Sequence, residues 1–302
     1  MSLDHLPDVH KTVLSGLPHN ANPLQLLDTI NYIGLEKIPW ELLSLAKDVD
    51  IGDRDFGSIG QDLLSLQAMI ASNDNKMKVA ATAGELQWMI YLRSSGEAWD
   101  EQVCEAAATN GHLDCLQYAR MHGCHWDETK ICQAAVKNGH IEVLEFLVKN
   151  GVDIHAFRKK ALCLASVNGH LDIVHYLVEK ESDIHAYDEA LRWASRNGHL
   201  EIVEFLVEKG AHARNDEALR WAAMNGHLDI VKFLVEKGSD IHAEDDLALR
   251  WASENGHLDV VKILVEKGAD IHALNDYALR WASRNGHLEV VQFLVENATI
   301  NV

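Results

Sequence analysis

The chain repeats one sentence, and that repetition decides how every residue in it is read. NDYALRWASRNGHLEVVQFLVE runs from Asn275 to Glu296. Near copies start at Asn215 (NDEALRWAAMNGHLDIVKFLVE), Asp245 (DDLALRWASENGHLDVVKILVE) and Tyr187 (YDEALRWASRNGHLEIVEFLVE). One glycine counts the period: it returns at Gly84, Gly111, Gly139, Gly169, Gly198, Gly226, Gly256 and Gly286, at spacings of 27 to 30 residues. A period near thirty indicates stacked supersecondary units, each unable to bury its apolar face alone.

The unit from Asp188 to Gly210 shows what each copy must be. Asp188 is placed to cap a helix, its carboxylate accepting from first-turn N–H groups. Ala190, Leu191 and Ala194 then share one helical face. Asn197-Gly198 closes that helix, since glycine reaches the left-handed conformation without a Cβ clash. Leu200 to Lys209 reads as a second helix striped by Ile202, Val203, Leu206 and Val207, ended by Gly210 as by Gly238 and Gly268 in later units. Helices of two to three turns do not persist alone in water, so each pair needs a neighbour on both sides.

The wording NGHLEVV with FLVE, and GADIHA at Gly268–Ala273, closely resembles the ankyrin repeat over residues 76–302. The resemblance implies an all-α, ankyrin-type α-solenoid of about eight helix-pair repeats with short hairpin linkers. The phrases ALRWAS-x-NGHL and ADIHA are similar to those of ankyrin proteins in mimivirus-type giant viruses. Two departures matter. The family's Thr-Pro-Leu-His opening is replaced by Glu189-Ala190-Leu191-Arg192 and by counterparts ending at Arg220, Arg250 and Arg280. The linker is also about three residues short of the usual 33-residue unit, which predicts blunt tips and moves any partner contact towards the first-helix face.

Residues 1–75 carry no clear copy and read as a small helical N-terminal region. Leu24–Ile33 and Pro39–Lys47 have short amphipathic patterns, and Gln61–Ala71 resumes one. This region is either a cap on the repeats or a degenerate F-box-like segment. Leu6-Pro7-Asp8-Val9 with Val13 to Pro18 resembles the F-box opening, about one residue short. That resemblance implies docking on the adaptor of a cullin-type ubiquitin ligase through residues 1–18. Residues 76–150 hold irregular copies, in which Gly96-Glu97-Ala98-Trp99-Asp100 and Gly123-Cys124-His125-Trp126-Asp127 share a Gly-x-x-Trp-Asp link.

The formal net charge of −19 opposes nucleic acid and anionic membrane, both of which are bound through clustered lysine and arginine. No opening apolar run suits a signal peptide, and no stretch approaches membrane-spanning length. Five loosely spaced cysteines give no disulfide framework. The expected setting is intracellular and reduced, the host cytoplasm for a viral protein. In the last unit, Trp281, Val291, Leu294 and Val295 copy interior residues, yet only Asn297 to Val302 follow. Either Ala298, Ile300 and Val302 fold back over this end or the end self-associates.

Residues that suggest chemistry have plainer readings. One histidine ladder (His112, His140, His170, His199, His227, His257, His287) and a second (His155, His185, His212, His242, His272) place ligands about a repeat apart, too far to share a metal, and read as turn histidines bonded to backbone. Cys104, Cys115, Cys124 and Cys132 match no zinc spacing, and Asp48, Asp50, Asp53 and Asp55 fit no calcium loop. Trp193, Trp221, Trp251 and Trp281 read as packing between units. Arg192, Arg220, Arg250 and Arg280 each lie four residues after an aspartate, which predicts i,i+4 ion pairs with Asp188, Asp216, Asp246 and Asp276. No phosphate loop, dinucleotide fingerprint or nucleophile elbow is present. We therefore assign no catalytic, cofactor-binding or metal residue, and read the chain as no enzyme.

Comparing units with one another separates residues that hold the stack from residues free to vary. The varying positions are Tyr187, Arg214, Glu244 and Leu274 in the linker, Glu189, Glu217, Leu247 and Tyr277 at the first-helix start, and Arg196, Met224, Glu254 and Arg284 at its end. The ankyrin resemblance implies that this face meets partners. The expected function is a non-catalytic protein-protein interaction scaffold, viral in origin, binding a host or viral protein. The alternatives are an F-box-like substrate adaptor and a structural, self-associating protein.

Overall fold

The computed structural model describes residues 75–298, except 95, 155–156, 180–183 and 213–215. The patterns read in residues 1–74, the F-box-like segment included, and the tail residues 299–302 lie outside this range. Among the described residues every regular element is a helix and no strand forms. These residues fall into two compact units, the first ending at Ile131 and the second beginning at Cys132.

The first unit holds α1 (Lys76–Ala83), α2 (Leu86–Ser94), α3 (Glu101–Thr109), α4 (Leu113–Met121) and the start of α5 (Glu128–Asn138). First helix packs on first helix, α1 on α3, and second on second, α2 on α4. Met77, Trp88, Met89, Val103, Cys104 and Leu116 fill the space between them. The Gly-x-x-Trp-Asp links have a mechanical reason. Asp100 caps α3 by accepting from Val103 N, and Asp127 accepts from Lys130 N. Trp99 donates its ring N–H to His122 O at 3.0 Å, and Trp126 lies under the Arg120 guanidinium, 4.3 Å from its centroid.

The second unit continues α5 and adds α6 (Ile141–Lys149), α7 (Arg158–Asn168), α8 (Leu171–Val178), α9 (Ile184–Asn197), α10 (Leu200–Glu208), α11 (Asp216–Met224), α12 (Leu228–Glu236), α13 (Ala243–Glu254), α14 (Leu258–Glu266), α15 (Ala273–Arg284) and α16 (Leu288–Ala298). Odd helices from α7 to α15 form one layer and even helices from α8 to α16 another, each packing on the next of its own layer. Alanines at the contact positions, Ala190, Ala194, Ala218, Ala222, Ala248 and Ala252, are buried and let the first helices approach closely. The stripe Ile202, Val203 and Leu206 is buried as its spacing predicts, while Val207 stays half-exposed.

Glycine and histidine together lock successive units. Each counting glycine has positive φ, from +74° at Gly84 to +85° at Gly198. A Cβ on Gly198 would stand 2.8 Å from the His227 ring, and one on Gly256 would stand 2.5 Å from His287. The ring is held there because its Nε2 donates back to the preceding unit: His170 to Lys137 O, His199 to Val167 O, His227 to Arg196 O, His257 to Met224 O and His287 to Glu254 O, all at 2.9–3.0 Å. His112 does the same to Thr82 O in the first unit. These first-ladder histidines thus bond backbone, but across units rather than within a turn. In the second ladder the expectation is corrected, since the rings of His212, His242 and His272 bond the carboxylates of Asp188, Asp246 and Asp276 through Nδ1.

The links correct two expectations. No β-hairpin forms in them among the described residues. Instead Glu244, Asp245 and Asp246, and likewise Leu274, Asn275 and Asp276, take three consecutive left-handed conformations, with φ between +52° and +58°. A one-turn left-handed reversal is how a link three residues short changes direction, and aspartate and asparagine tolerate that conformation better than most residues. Asp188 does not cap its helix either, because α9 begins at Ile184 and encloses it.

Candidate functional site

Along the first-helix layer of the second unit runs an open groove of about 510 Å³, lined by Lys159, His185, Asp188, Glu189, Arg192, Asp216, Glu217 and Arg220. Its charges are wired lengthwise. Lys159 Nζ meets Glu189 Oε2 at 3.0 Å, Arg192 pairs with Glu217, and Arg220 pairs with Glu244. Each cation therefore reaches the glutamate of the next unit. This overturns the expected i,i+4 pairs between these arginines and the aspartates. The aspartates are committed elsewhere: Asp188 accepts from His212 N at 2.7 Å and from its Nδ1, Asp216 from Asp240 N and Asp246 from Asp270 N, both at 3.0 Å. One unit's aspartate holds the next unit's link, and the arginine is left to find the glutamate.

Arg250 and Arg280 turn to the left-handed links. Arg250 Nη2 donates to Glu244 O at 2.7 Å and Arg280 Nη2 to Leu274 O at 3.2 Å. Arg250 also lies over the Tyr277 ring, 5.0 Å from its centroid, and the Tyr277 hydroxyl donates to Glu254 Oε2 at 3.2 Å. Burial, with the Glu254 carboxylate beside it, raises the Tyr277 phenol above its ordinary value. The ion pairs of the groove stand half in water, with Glu217 44% and Arg192 36% exposed. Replacing Glu217 by glutamine is therefore expected to lower stability by less than about 1 kcal/mol in urea unfolding. A larger loss would make the ion-pair ladder, rather than apolar burial, the holder of this layer.

Next to the charged groove is a smaller hollow of about 160 Å³ between Trp193 and Trp221, rimmed by Glu189, Arg192 and Arg196. Arg196 lies over both rings, 4.5 Å from the centroid of Trp221 and 5.5 Å from that of Trp193. Trp221 in turn packs on Trp251 at 5.6 Å. The tryptophan column does pack between units, as its period suggests, yet its rings remain half-exposed and line the hollow. Sequence reasoning missed this second role. The available signal was Arg196, one helical turn after Trp193.

The varying positions separate once placed. Glu189, Glu217 and Glu244 are the acceptors of the ion-pair ladder, and Glu254 and Tyr277 bond each other. Arg196 and Arg284 cover Trp221 and Trp281. Met224 and Leu247 are half-buried, and Leu274 is exposed at its turn. Tyr187 corrects the expectation of a surface residue: it is 6% exposed and its hydroxyl donates to Val178 O at 3.3 Å. The backward extension of α9 carries it inside. Arg214 lies outside the described residues.

Among the described residues no three histidine, cysteine or acidic side chains converge as a metal site would require. No helix among them is long and apolar enough to cross a membrane. The family model "Ankyrin repeats (3 copies)" matches residues 104–188 and 186–245, and "Ankyrin repeats (many copies)" matches residues 249–295. No curated protein matches the chain. With paired helices in two layers and these matches across most of its length, the chain belongs to the ankyrin-repeat family, whose repeats serve protein-protein interaction.

Proposed function

We propose that this protein is a non-catalytic scaffold that holds a protein partner on the first-helix face, with residues 76–302 as the repeat domain and residues 1–75 as a separate N-terminal region. The observation that carries the reading is the hollow between Trp193 and Trp221, capped by Arg196. Tryptophan and arginine around an apolar recess are the side chains that dominate binding energy at interfaces. The similarity of the repeats to those of mimivirus-type viruses supports a viral protein acting in the host cytoplasm on a host or viral partner.

The test is affinity capture with the full chain from amoebal lysate, then titration of the captured partner. Arg196→Glu and Trp221→Ala are each expected to weaken binding at least about 30-fold, the scale of an interfacial hot spot of ~2 kcal/mol. Partners retained equally by both variants would remove the face from the proposal. Capture of ubiquitin-ligase components, lost in a full-chain Leu6→Asp variant, would favour the adaptor reading.

A second reading has its own support. Leu288 is 77% and Val295 46% exposed on α16, an apolar surface of the kind that pairs copies of a chain. Sedimentation that shows a concentration-dependent dimer, abolished by Leu288→Glu, supports self-association; a monomer at every concentration removes it.

A further inference from the structure

In the first unit, Cys104 of α3 and Cys124 of the link after α4 are both withdrawn from solvent, at 0% and 1% exposure, and their sulfurs stand 2.9 Å apart. That separation lies between ordinary sulfur contact and the ~2.05 Å of a disulfide. The two residues are reached from different elements, 20 positions apart, so the approach is a product of the fold. Asp100, which caps α3, also receives the Cys124 thiol on its carbonyl at 3.3 Å, tying the link to the start of the same helix.

We propose that Cys104 and Cys124 form a modification site: a dithiol converted to an intramolecular disulfide by exchange with a small disulfide such as oxidised glutathione. The contact divides the two roles. Cys104 donates its S–H to Cys124, which lowers the Cys124 thiol below its ordinary value, with Arg120 adding to the effect; the same contact and burial push Cys104 up. Cys124 is therefore the attacking thiolate. It displaces one glutathione thiolate from the oxidant and carries the other as a mixed disulfide. Cys104 then gives its proton to solvent and attacks the Cys124 sulfur, expelling the second glutathione. Two protein thiols are oxidised and one glutathione disulfide becomes two glutathione thiols.

Access comes through the link, not the helix. Cys124 sits in non-helical backbone, and its neighbours His122, Gly123 and His125 are exposed, so a local opening bares Cys124 while α3 stays formed. Cys115 and Cys163 differ: burial first of all pushes both thiols up to about 12, leaving little thiolate at neutral pH. The reduced pair is the state of a reducing compartment, and the disulfide is its response to oxidation.

The test treats the native full chain with excess oxidised glutathione, quenches with acid, and maps thiols by alkylation and mass spectrometry. Free thiols are expected to fall from five to three, with one peptide pair linked through Cys104 and Cys124 and reversed by dithiothreitol. In Cys104→Ser, the glutathione adduct is expected to persist on Cys124. Retention of all five thiols, a stable adduct on the unaltered chain without a linked pair, or a link through another cysteine would each overturn the proposal. The wild-type map is decisive alone, so a variant that fails to fold does not blunt the test.

Discussion

Replacing Gly256 by alanine is expected to lower stability by about 2–5 kcal/mol, while the same change at Gly286 costs about 1–2 kcal/mol. Both glycines have the same backbone requirement, φ of +79° and +80°, which an L-residue meets at about 1–2 kcal/mol. They differ in what a Cβ would meet. At Gly256 it would stand 2.5, 2.7 and 2.8 Å from three atoms of the His287 ring, and at Gly286 nothing lies within 4 Å. The ring cannot simply move aside, because His287 Nε2 donates to Glu254 O at 2.9 Å and that bond fixes its place. Overfilling a packed site costs about 1–3 kcal/mol more. Repeat arrays do not unfold as one cooperative block, so the check is local: amide exchange across α13 to α16, beside the urea midpoint of each variant. Equal losses at the two glycines would mean that the histidine contributes nothing to the lock.

The paired helices and their buried faces were legible because apolar period is a local property. The columns of glycine, histidine and tryptophan announced themselves by recurring at fixed register. What each column does was only half legible. Positive φ at Gly198 follows from its place after a helix, but the His227 ring that excludes a Cβ belongs to the next unit, and no spacing within one unit gives its orientation. Arg192 shows the same limit more sharply. An aspartate four residues earlier satisfies the rule for helical ion pairs, yet a backbone N–H from the following link takes that aspartate, and the arginine reaches Glu217. Here two partners compete for one group, the one the tertiary fold delivers wins, and it is invisible to local reading.

The candidate surface divides along the same line. Variation between units identifies residues released from holding the stack, and for Arg196, Leu274 and Arg284 release coincides with exposure. Tyr187 varies for the opposite reason. Its unit begins the first helix early, at Ile184, so the residue meets a different environment from its counterparts and is buried. A varying position can record a local change of backbone as well as freedom from packing. Trp193 and Trp221, constant and assigned to packing, line the hollow because a ring wide enough to bridge two units also shows its edge between them.

Replacing Asp246 by alanine is expected to cost about 3–5 kcal/mol, the larger part through hydrogen bonds rather than charge. Asp246 is 5% exposed, and its Oδ1 accepts from His242 Nδ1 at 2.9 Å and from Asp270 N at 3.0 Å, so one carboxylate closes its own link and starts the next. Removing it takes the acceptor from the Asp270 N–H, a part-buried bond to a charged group of about 1.5–3 kcal/mol. It also leaves alanine at φ +55°, where aspartate is better tolerated. Three companions separate these causes. Asp246→Gly relieves the backbone but keeps the lost bonds, and is expected to be less damaging than alanine by about 1–2 kcal/mol. Asp246→Asn keeps an acceptor and tolerance of the turn, and is expected to cost about 1–2 kcal/mol. Asp276→Ala removes a half-exposed carboxylate bonded to His272, 2.6 Å away; with that carboxylate closer to water, it is expected to cost about half as much as Asp246→Ala. Amide exchange at Asp270 gives the direct readout, since its N–H is the donor released. Unchanged protection there in Asp246→Ala would show that the link is held by its left-handed turn and by Arg280, and not by the aspartate of the preceding unit.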